Sequence, residues 1–315
     1  MDRILVTPRS LSRGGHPALR MLEEAGYSLV MPAPGSLPDE ETLMAALPGC
    51  VGWLAGVEPV SERVLDAADR LRVISRNGTG VDNLPLKAME TRGIELRRAE
   101  ATNARGVAEL ALALTLAGLR QIVWTHEGMR SGGWPRLMGR EMCDATVGIV
   151  GLGAVGATLA QLCLDLGARV RGYDPFANED RVTHRNFTRV DLDEAIAGVD
   201  AVSLHAPMPE DGRPLLTAGR LAAMAPGTVL VNTARAGLVD EGALFVALES
   251  GRVACYATDV FDKEPPDLSP LLAHPRVVLT SHIGGFTDAS VERCTVRAVA
   301  NLIDALGQNA RHDAH

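Results

Sequence analysis

Gly151, Gly153 and Gly156 stand at a spacing that can hold a dinucleotide. They follow a short apolar run, Thr146-Val147-Gly148-Ile149-Val150, and open a helical pattern in which Leu159, Leu162 and Leu166 recur before Gly167. Gly151 permits a tight turn out of the strand, Gly153 lets backbone approach a pyrophosphate, and Gly156 lets helix and strand pack closely. The helix N-terminus then offers unpaired N–H groups and the positive end of its dipole to phosphate. A second strand, Arg169 to Tyr173, runs into Asp174. A carboxylate there can accept from both adenosine ribose hydroxyls and repels a 2′-phosphate, so the expected cofactor is NAD rather than NADP.

Three later apolar runs end in polar groups of complementary chemistry. Val229 to Asn232 leads to Thr233-Ala234-Arg235, Tyr256 to Val260 leads to Asp262-Lys263-Glu264, and Val277 to Thr280 leads to Ser281-His282. Ligands of open α/β sheets bind outside the carboxyl ends of strands, so residues distant in sequence can converge there. Histidine, with an ordinary pKa of about 6.5, can give or take a proton beside a carbonyl oxygen. A glutamate next to it favours the imidazolium and orients the ring. An arginine offers a planar fork for a carboxylate and its neighbouring carbonyl. Together with a hydride carrier, Arg235, Glu264 and His282 suit the interconversion of a 2-hydroxy acid and its 2-oxo acid.

The elements that position these groups alternate along the chain. Ile4 to Val6, Val51 to Leu54, Val73 to Ser75 and Ile94 to Leu96 read as short strands. Helices fall near Pro17 to Ala25 and Ser61 to Ala68. A long apolar helix over Asn103 to Leu119 should be buried between domains or subunits. Strands recur at 146–150, 169–173, 187–190, 201–204, 228–232, 254–258 and 277–280, a complete doubly wound set. One more helix, Ala289 to Leu306, is expected to return to the first domain, which makes the second an insertion. The 315 residues are 46% hydrophobic and 22% charged, a globular profile long enough for two domains. A net charge of −8 without a dense basic cluster argues against nucleic acid. No apolar run reaches the ~20 residues needed to span a bilayer, and the start lacks a signal peptide's pattern. Cys50, Cys143, Cys163, Cys255 and Cys294 are odd in number and lack metal-ligand spacing, so reduced cytoplasmic thiols and no metal are expected.

The runs GLGAVG, NTARAGLVDEGAL, DVFDKEPP and TSHIGG, with Asp174, resemble the D-isomer-specific 2-hydroxyacid dehydrogenases, most of all their phosphoglycerate-dehydrogenase-like branch. The likeness extends to RNGTGVDN at 76–83 and NARGVAELALALTLA at 103–117, and so covers essentially the whole chain. It implies an α/β fold of two doubly wound parallel-sheet domains. A Rossmann NAD-binding domain (101–285) is inserted in a flavodoxin-like substrate domain (1–100 and 286–315), and the two close around the substrate. It implies that Arg235 clamps substrate, that Glu264 partners His282, and that His282 is the acid–base. Backbone N–H groups near Thr79 and Gly80 would bind the substrate carboxylate. Cofactor contacts would come from Gly151, Gly153, Ala154, Val155 and Gly156, from Asp174 at the ribose, and from His205, Ala206, Pro207, Thr233, Ala234, His282 and Gly284. Asp259 would meet the nicotinamide amide. A homodimer is implied, with Met129 to Trp134 as its arm; from sequence alone, a solvent loop pinned by Trp134 fits as well.

Three departures stand out. Ala154 replaces a frequent Arg and leaves the pyrophosphate to backbone groups, Ser281 replaces a frequent Pro, and the chain ends soon after its last helix. Arg9, Arg13 and Arg76 lie near strand ends of the first domain, as surface arginines or as recognition of a phosphate or second carboxylate. The tail at 310–315 reads as frayed and not as a metal site. The competing function is an NAD(H)-sensing binding protein of the corepressor type, which the same three residues would also serve.

Overall fold

In the computed structural model, which describes residues 1–13, 15–176 and 181–312 with side chains through Gly307, helices and strands alternate along most of the chain. The first stretch comprises β1 (Arg3–Val6), α1 (Pro17–Glu24), β2 (Ser28–Val30), α2 (Glu40–Ala46), β3 (Cys50–Ala55), α3 (Glu62–Asp66), β4 (Val73–Arg76), α4 (Leu86–Thr91) and β5 (Glu95–Arg98). Next come α5 (Ala104–Leu119), α6 (Ile122–Arg130), β6 (Thr146–Val150), α7 (Ala154–Asp165), β7 (Arg169–Tyr173), β8 (Phe187–Arg189), α8 (Leu192–Ile196) and β9 (Ala201–Leu204). The last are α9 (Ala218–Ala223), β10 (Thr228–Asn232), α10 (Glu241–Glu249), β11 (Val253–Thr258), β12 (Val277–Leu279) and α11 (Asp288–His312). The chain divides into two compact units, Met1–Asn103 with Asp288–His315, and Ala104–Thr287.

The first unit holds a five-stranded parallel sheet in the order β2-β1-β3-β4-β5, the flavodoxin-like order. Both faces are covered, so its strands are apolar on both sides. Ile4, Val6, Val51 and Val73 meet α1 and α11 through Leu22, Ala298 and Leu302. Leu5, Trp53 and Ile74 meet α2, α3 and α4 through Leu43, Val64 and Met89. Gly52 is required by α11: a Cβ there would lie 2.9 Å from Ile4 Cδ1 and 3.1 Å from Leu302 Cδ1. Side-chain caps start the short helices, with Asp39 accepting from Thr42 N at 2.9 Å and Ser61 from Val64 N at 3.3 Å. The tail beyond His312 lies outside the described residues.

The second unit holds seven parallel strands in the order β12-β11-β10-β9-β6-β7-β8, a Rossmann sheet lengthened by one strand. α5 and α7 fill one face through Ala108, Ala111, Leu114, Leu159 and Cys163 against Val147, Ile149 and Val229. α8, α9 and α10 fill the other through Ile196, Leu221 and Leu244. The long apolar helix expected between domains or subunits thus packs into the sheet of its own unit. Gly118 approaches so closely that a Cβ would lie 2.6 Å from Val229 Cγ1. α6 has no fully buried residue; Trp124 alone packs against the core from it, its Nε1 donating to Pro275 O at 2.6 Å. Trp134 is 77% exposed and is not buried against the fold. Pro135 anchors this segment instead, seated where a Cβ on Gly128 would be 2.6 Å from its Cγ.

Leu302→Ala is expected to destabilise the first unit by about 3 kcal/mol, since it opens a cavity between α11 and the sheet. Urea unfolding followed by far-UV circular dichroism checks this, and an unchanged midpoint would contradict it.

Candidate active site

Two of the glycines at the head of the second unit are fixed by contact and the third by its absence. Gly151 has φ +96°, and a Cβ on it would lie 2.6 Å from Ala206 N and from His205 C. A Cβ on Gly156 would meet Gly151 O at 1.8 Å, so the first turn of α7 lies directly against the strand end. Gly153 has no atom within 4 Å of its Cβ position, and α7 has no side-chain cap. Its first N–H groups, at Ala154 and Val155, are therefore available to an external acceptor. Asp174 Oδ2 accepts from Leu152 N at 2.7 Å and Oδ1 from Phe176 N at 2.8 Å, which ties the end of β7 to the glycine turn. The open glycine, the uncapped helix and the adjoining carboxylate fit the pyrophosphate and adenosine ribose of NAD.

His205 continues the site from β9. Its Nε2 lies 2.8 Å from Ser203 Oγ and its Nδ1 3.5 Å from Thr233 Oγ1. Desolvation pulls its pKa down to about 3, so the ring is neutral at ordinary pH. It serves as an uncharged spacer between the ends of β9 and β10. Ala206 and Pro207 follow it, beside Gly151.

The three reactive candidates sit at the ends of three neighbouring strands. Arg235 follows β10, where buried Asn232 shapes the turn: its Oδ1 accepts from Ala234 N at 3.1 Å and its Nδ2 donates to Arg235 O at 2.8 Å. Arg235 Nη1 donates to Ala234 O at 2.7 Å. Glu264 follows β11, and its Oε1 lies 2.7 Å from His282 Nδ1. That oxygen also accepts from Phe261 N at 3.3 Å. Glu264 leaves His282 Nε2 as the ring nitrogen to meet a ligand. Both side chains are partly open to solvent, at 55% for His282 and 40% for Glu264.

His282 stands in the left-handed region at φ +54°, unusual for a residue with a Cβ. Asp259 holds it there. Asp259 is 2% exposed, and its Oδ1 accepts from Thr280 Oγ1 at 2.6 Å and Ile283 N at 2.8 Å. Its Oδ2 accepts from Gly284 N at 2.8 Å. Sequence reasoning assigned Asp259 to the nicotinamide amide and missed this turn-building role, as it missed Asn232 and Ser203. The available signal was a polar residue at the close of an apolar strand for Asp259 and Asn232, and one inside such a strand for Ser203.

Thr79 and Gly80 belong to the first unit, on the loop after β4. Thr79 Oγ1 donates to Asn103 Oδ1 at 3.4 Å and to Ala99 O at 3.5 Å. Of the three arginines weighed there, Arg9 and Arg13 are exposed and Arg76 is buried. All five cysteines are free, and burial pushes the Cys163 and Cys255 thiols up to about 12, which leaves them inert.

Residues 112–284 match the model of the NAD-binding domain of the D-isomer-specific 2-hydroxyacid dehydrogenases, whose cofactor is NAD. The D-3-phosphoglycerate dehydrogenase of Archaeoglobus fulgidus is 39% identical over 231 residues, 72% of this chain and 44% of that protein. The human D-3-phosphoglycerate dehydrogenase is 33% identical over 288 residues, 90% of this chain and 54% of that protein. The chain thus spans about half the length of the curated relatives it matches. A crystal structure of a Thermus thermophilus protein superposes with a TM-score of 0.84 at 33% identity, covering 97% of each chain. D-2-Hydroxyisocaproate dehydrogenase superposes with a TM-score of 0.82 at 26% identity, covering 98% of each. The chain belongs to the D-isomer-specific 2-hydroxyacid dehydrogenase family, in its phosphoglycerate-dehydrogenase-like branch.

Proposed function

We propose that this chain is an oxidoreductase that interconverts a D-2-hydroxy acid and its 2-oxo acid. The observation that carries the reading is the His282–Glu264 pair, held at 2.7 Å on a turn that Asp259 pins. When bound, NAD(H) supplies the acceptor or donor of the hydride. Gly151, Gly153, Ala154, Val155 and Gly156 would cradle its pyrophosphate, and Asp174 its adenosine ribose. His205, Ala206, Pro207, Thr233, Ala234, Asp259 and Gly284 would line the rest of its path.

In the direction of reduction, His282 gives the proton on Nε2 to the carbonyl oxygen of the 2-oxo acid as hydride reaches carbon 2. Glu264 accepts from Nδ1 and orients the ring for this transfer. In oxidation the neutral ring takes the hydroxyl proton instead. Arg235 would hold the substrate carboxylate and carbonyl in its planar fork. Backbone N–H groups at Thr79 and Gly80 would hold the carboxylate from the first unit. Residues Ala104–Thr287 are thus read as the cofactor unit and Met1–Asn103 with the C-terminal helix as the substrate unit.

A homodimer is part of this reading. The segment from α6 to 141 carries Ile122, Met129, Trp134, Leu137 and Met138, all exposed, with Trp134 at 77% and Met138 at 91%. An apolar run of this kind on an unburied arm matches the make-up of an association surface. Nucleic-acid and membrane partners are not proposed. The net charge is −8, and no single helix among the described residues is long and apolar enough to cross a membrane.

Two experiments test the proposal. His282→Ala should lower kcat for the best 2-oxo acid by about 10²- to 10⁴-fold, the usual contribution of a positioned acid–base. NADH affinity, read by fluorescence titration, should change little. Wild-type turnover in the variant would remove His282 from the acid–base role. Tight NADH binding with no turnover of any acid by the wild type would favour the sensor over the enzyme. For the dimer, sedimentation equilibrium at micromolar concentration should return twice the chain mass, and a monomer mass would contradict the arm assignment.

A further inference from the structure

The loop that carries Glu264 closes one side of a cavity in the second unit that the proposed mechanism does not use. The cavity lies between that loop, the first turn of α10 and the end of β11, and holds about 190 Å³. Its floor is apolar, with Val239, Leu244 and Leu271 buried along it. Phe261 and Tyr256 add two aromatic rings. Tyr256 is 4% exposed, and its phenol oxygen accepts from Asn232 Nδ2 at 3.4 Å. The same amide closes the Arg235 turn, and Ala236, next to Arg235, is part of the cavity wall.

The rim is acidic. Glu241 opens α10 and Asp262 stands on the loop; both are exposed and both line the cavity. Among the described residues neither has an ion-pair partner. Lys263 at the same rim is paired with Asp267 at 2.9 Å and so does not neutralise them. Their field reaches the interior. Burial pushes the Tyr256 phenol above its ordinary pKa, hydrogen bonds with Thr258 and Asn232 pull it back, and Glu241 and Asp262 push it up again.

This lining favours one kind of occupant. A cleft of one sign of charge with apolar walls concentrates the opposite ion, and aromatic rings attract cations further. The rim carboxylates are not among the groups of three whose ligand atoms lie close enough together to hold a metal ion. A bare ion would also leave the apolar floor uncovered, whereas an organic cation covers it. An apolar cavity of about 150 Å³ accommodates benzene. The space beside Tyr256 therefore suits a body of that size bearing one charged group.

We propose that this cavity is a second binding site, for a primary ammonium ion on a short apolar body, and that its occupant bears on the Arg235 turn through Tyr256. Binding is independent of the dehydrogenase reading; the effect on Arg235 rests on it.

The test uses the intact protein, with benzylammonium as the probe and benzyl alcohol, a similar body without charge, as the control. In a ligand-observed NMR titration without substrate or cofactor, benzylammonium should bind about 10-fold more tightly than the alcohol, the scale of two partly exposed ion pairs. In the double variant Glu241→Gln and Asp262→Asn the two should bind alike. Equal affinities in the wild type, or a preference that survives in the double variant, overturn the site. Benzylammonium should also shift KM for the best 2-oxo acid by about 5-fold in the wild type. It should not do so in Tyr256→Phe, which keeps the ring and loses the oxygen that meets Asn232. An unshifted KM, or a shift that persists in Tyr256→Phe, overturns the link to Arg235. No turnover of any acid overturns the dehydrogenase reading and that link with it, and the titration still decides the site.

Discussion

The buried carboxylate of Asp259 is the constraint on which the candidate active site depends. Taken out of water, it must be satisfied by donors. The donors it finds are Thr280 Oγ1, Ile283 N and Gly284 N, which bracket His282 in sequence. Holding a residue with a Cβ in the left-handed region costs roughly 1–2 kcal/mol. Hydrogen bonds to a charged group contribute about 1.5–3 kcal/mol each, so three of them outweigh the strain. The turn is thereby fixed, and His282 Nδ1 is presented to Glu264. A glutamate bound to a histidine on a loose loop would sample many geometries; here the backbone is decided before the side chains meet.

The rest of the second unit delivers these parts to one edge. Parallel strands put every carboxyl end on the same side, and β10, β11 and β12 are neighbours, so Arg235, Glu264 and His282 follow adjacent strands. Asn232 does for the Arg235 turn what Asp259 does for the His282 turn, with a neutral amide in place of a carboxylate. Around Gly151 the fit is set by exclusion, because any side chain there would strike the end of β9. Function and packing thus share the same atoms, and few of these positions can change independently.

Much of this was legible in the sequence because the strands are short, apolar and bounded by turn residues. The spans read at 146–150, 169–173, 201–204 and 228–232 are the strands observed. The same is true of the family resemblance and of the α/β fold with two parallel sheets. What escaped has physical causes. β2 is a half-buried edge strand of three residues and gives little hydrophobic signal. α4 starts after Pro85 without a side-chain cap, and α9 is only six residues long. α5 is apolar nearly all round, and its unit's own sheet takes its most buried side. The roles of Asp259 and Asn232 are set by hydrogen bonds across loops, and no periodicity records those.

The central claim is stereospecific hydride chemistry at carbon 2, with its proton passed through His282. Its most direct measurement is chiral chromatography of the product formed from a 2-oxo acid and NADH by the wild-type protein. The account predicts accumulation of the D-2-hydroxy acid in step with NADH oxidation. An L product, or no product from any acid despite bound NADH, would contradict it.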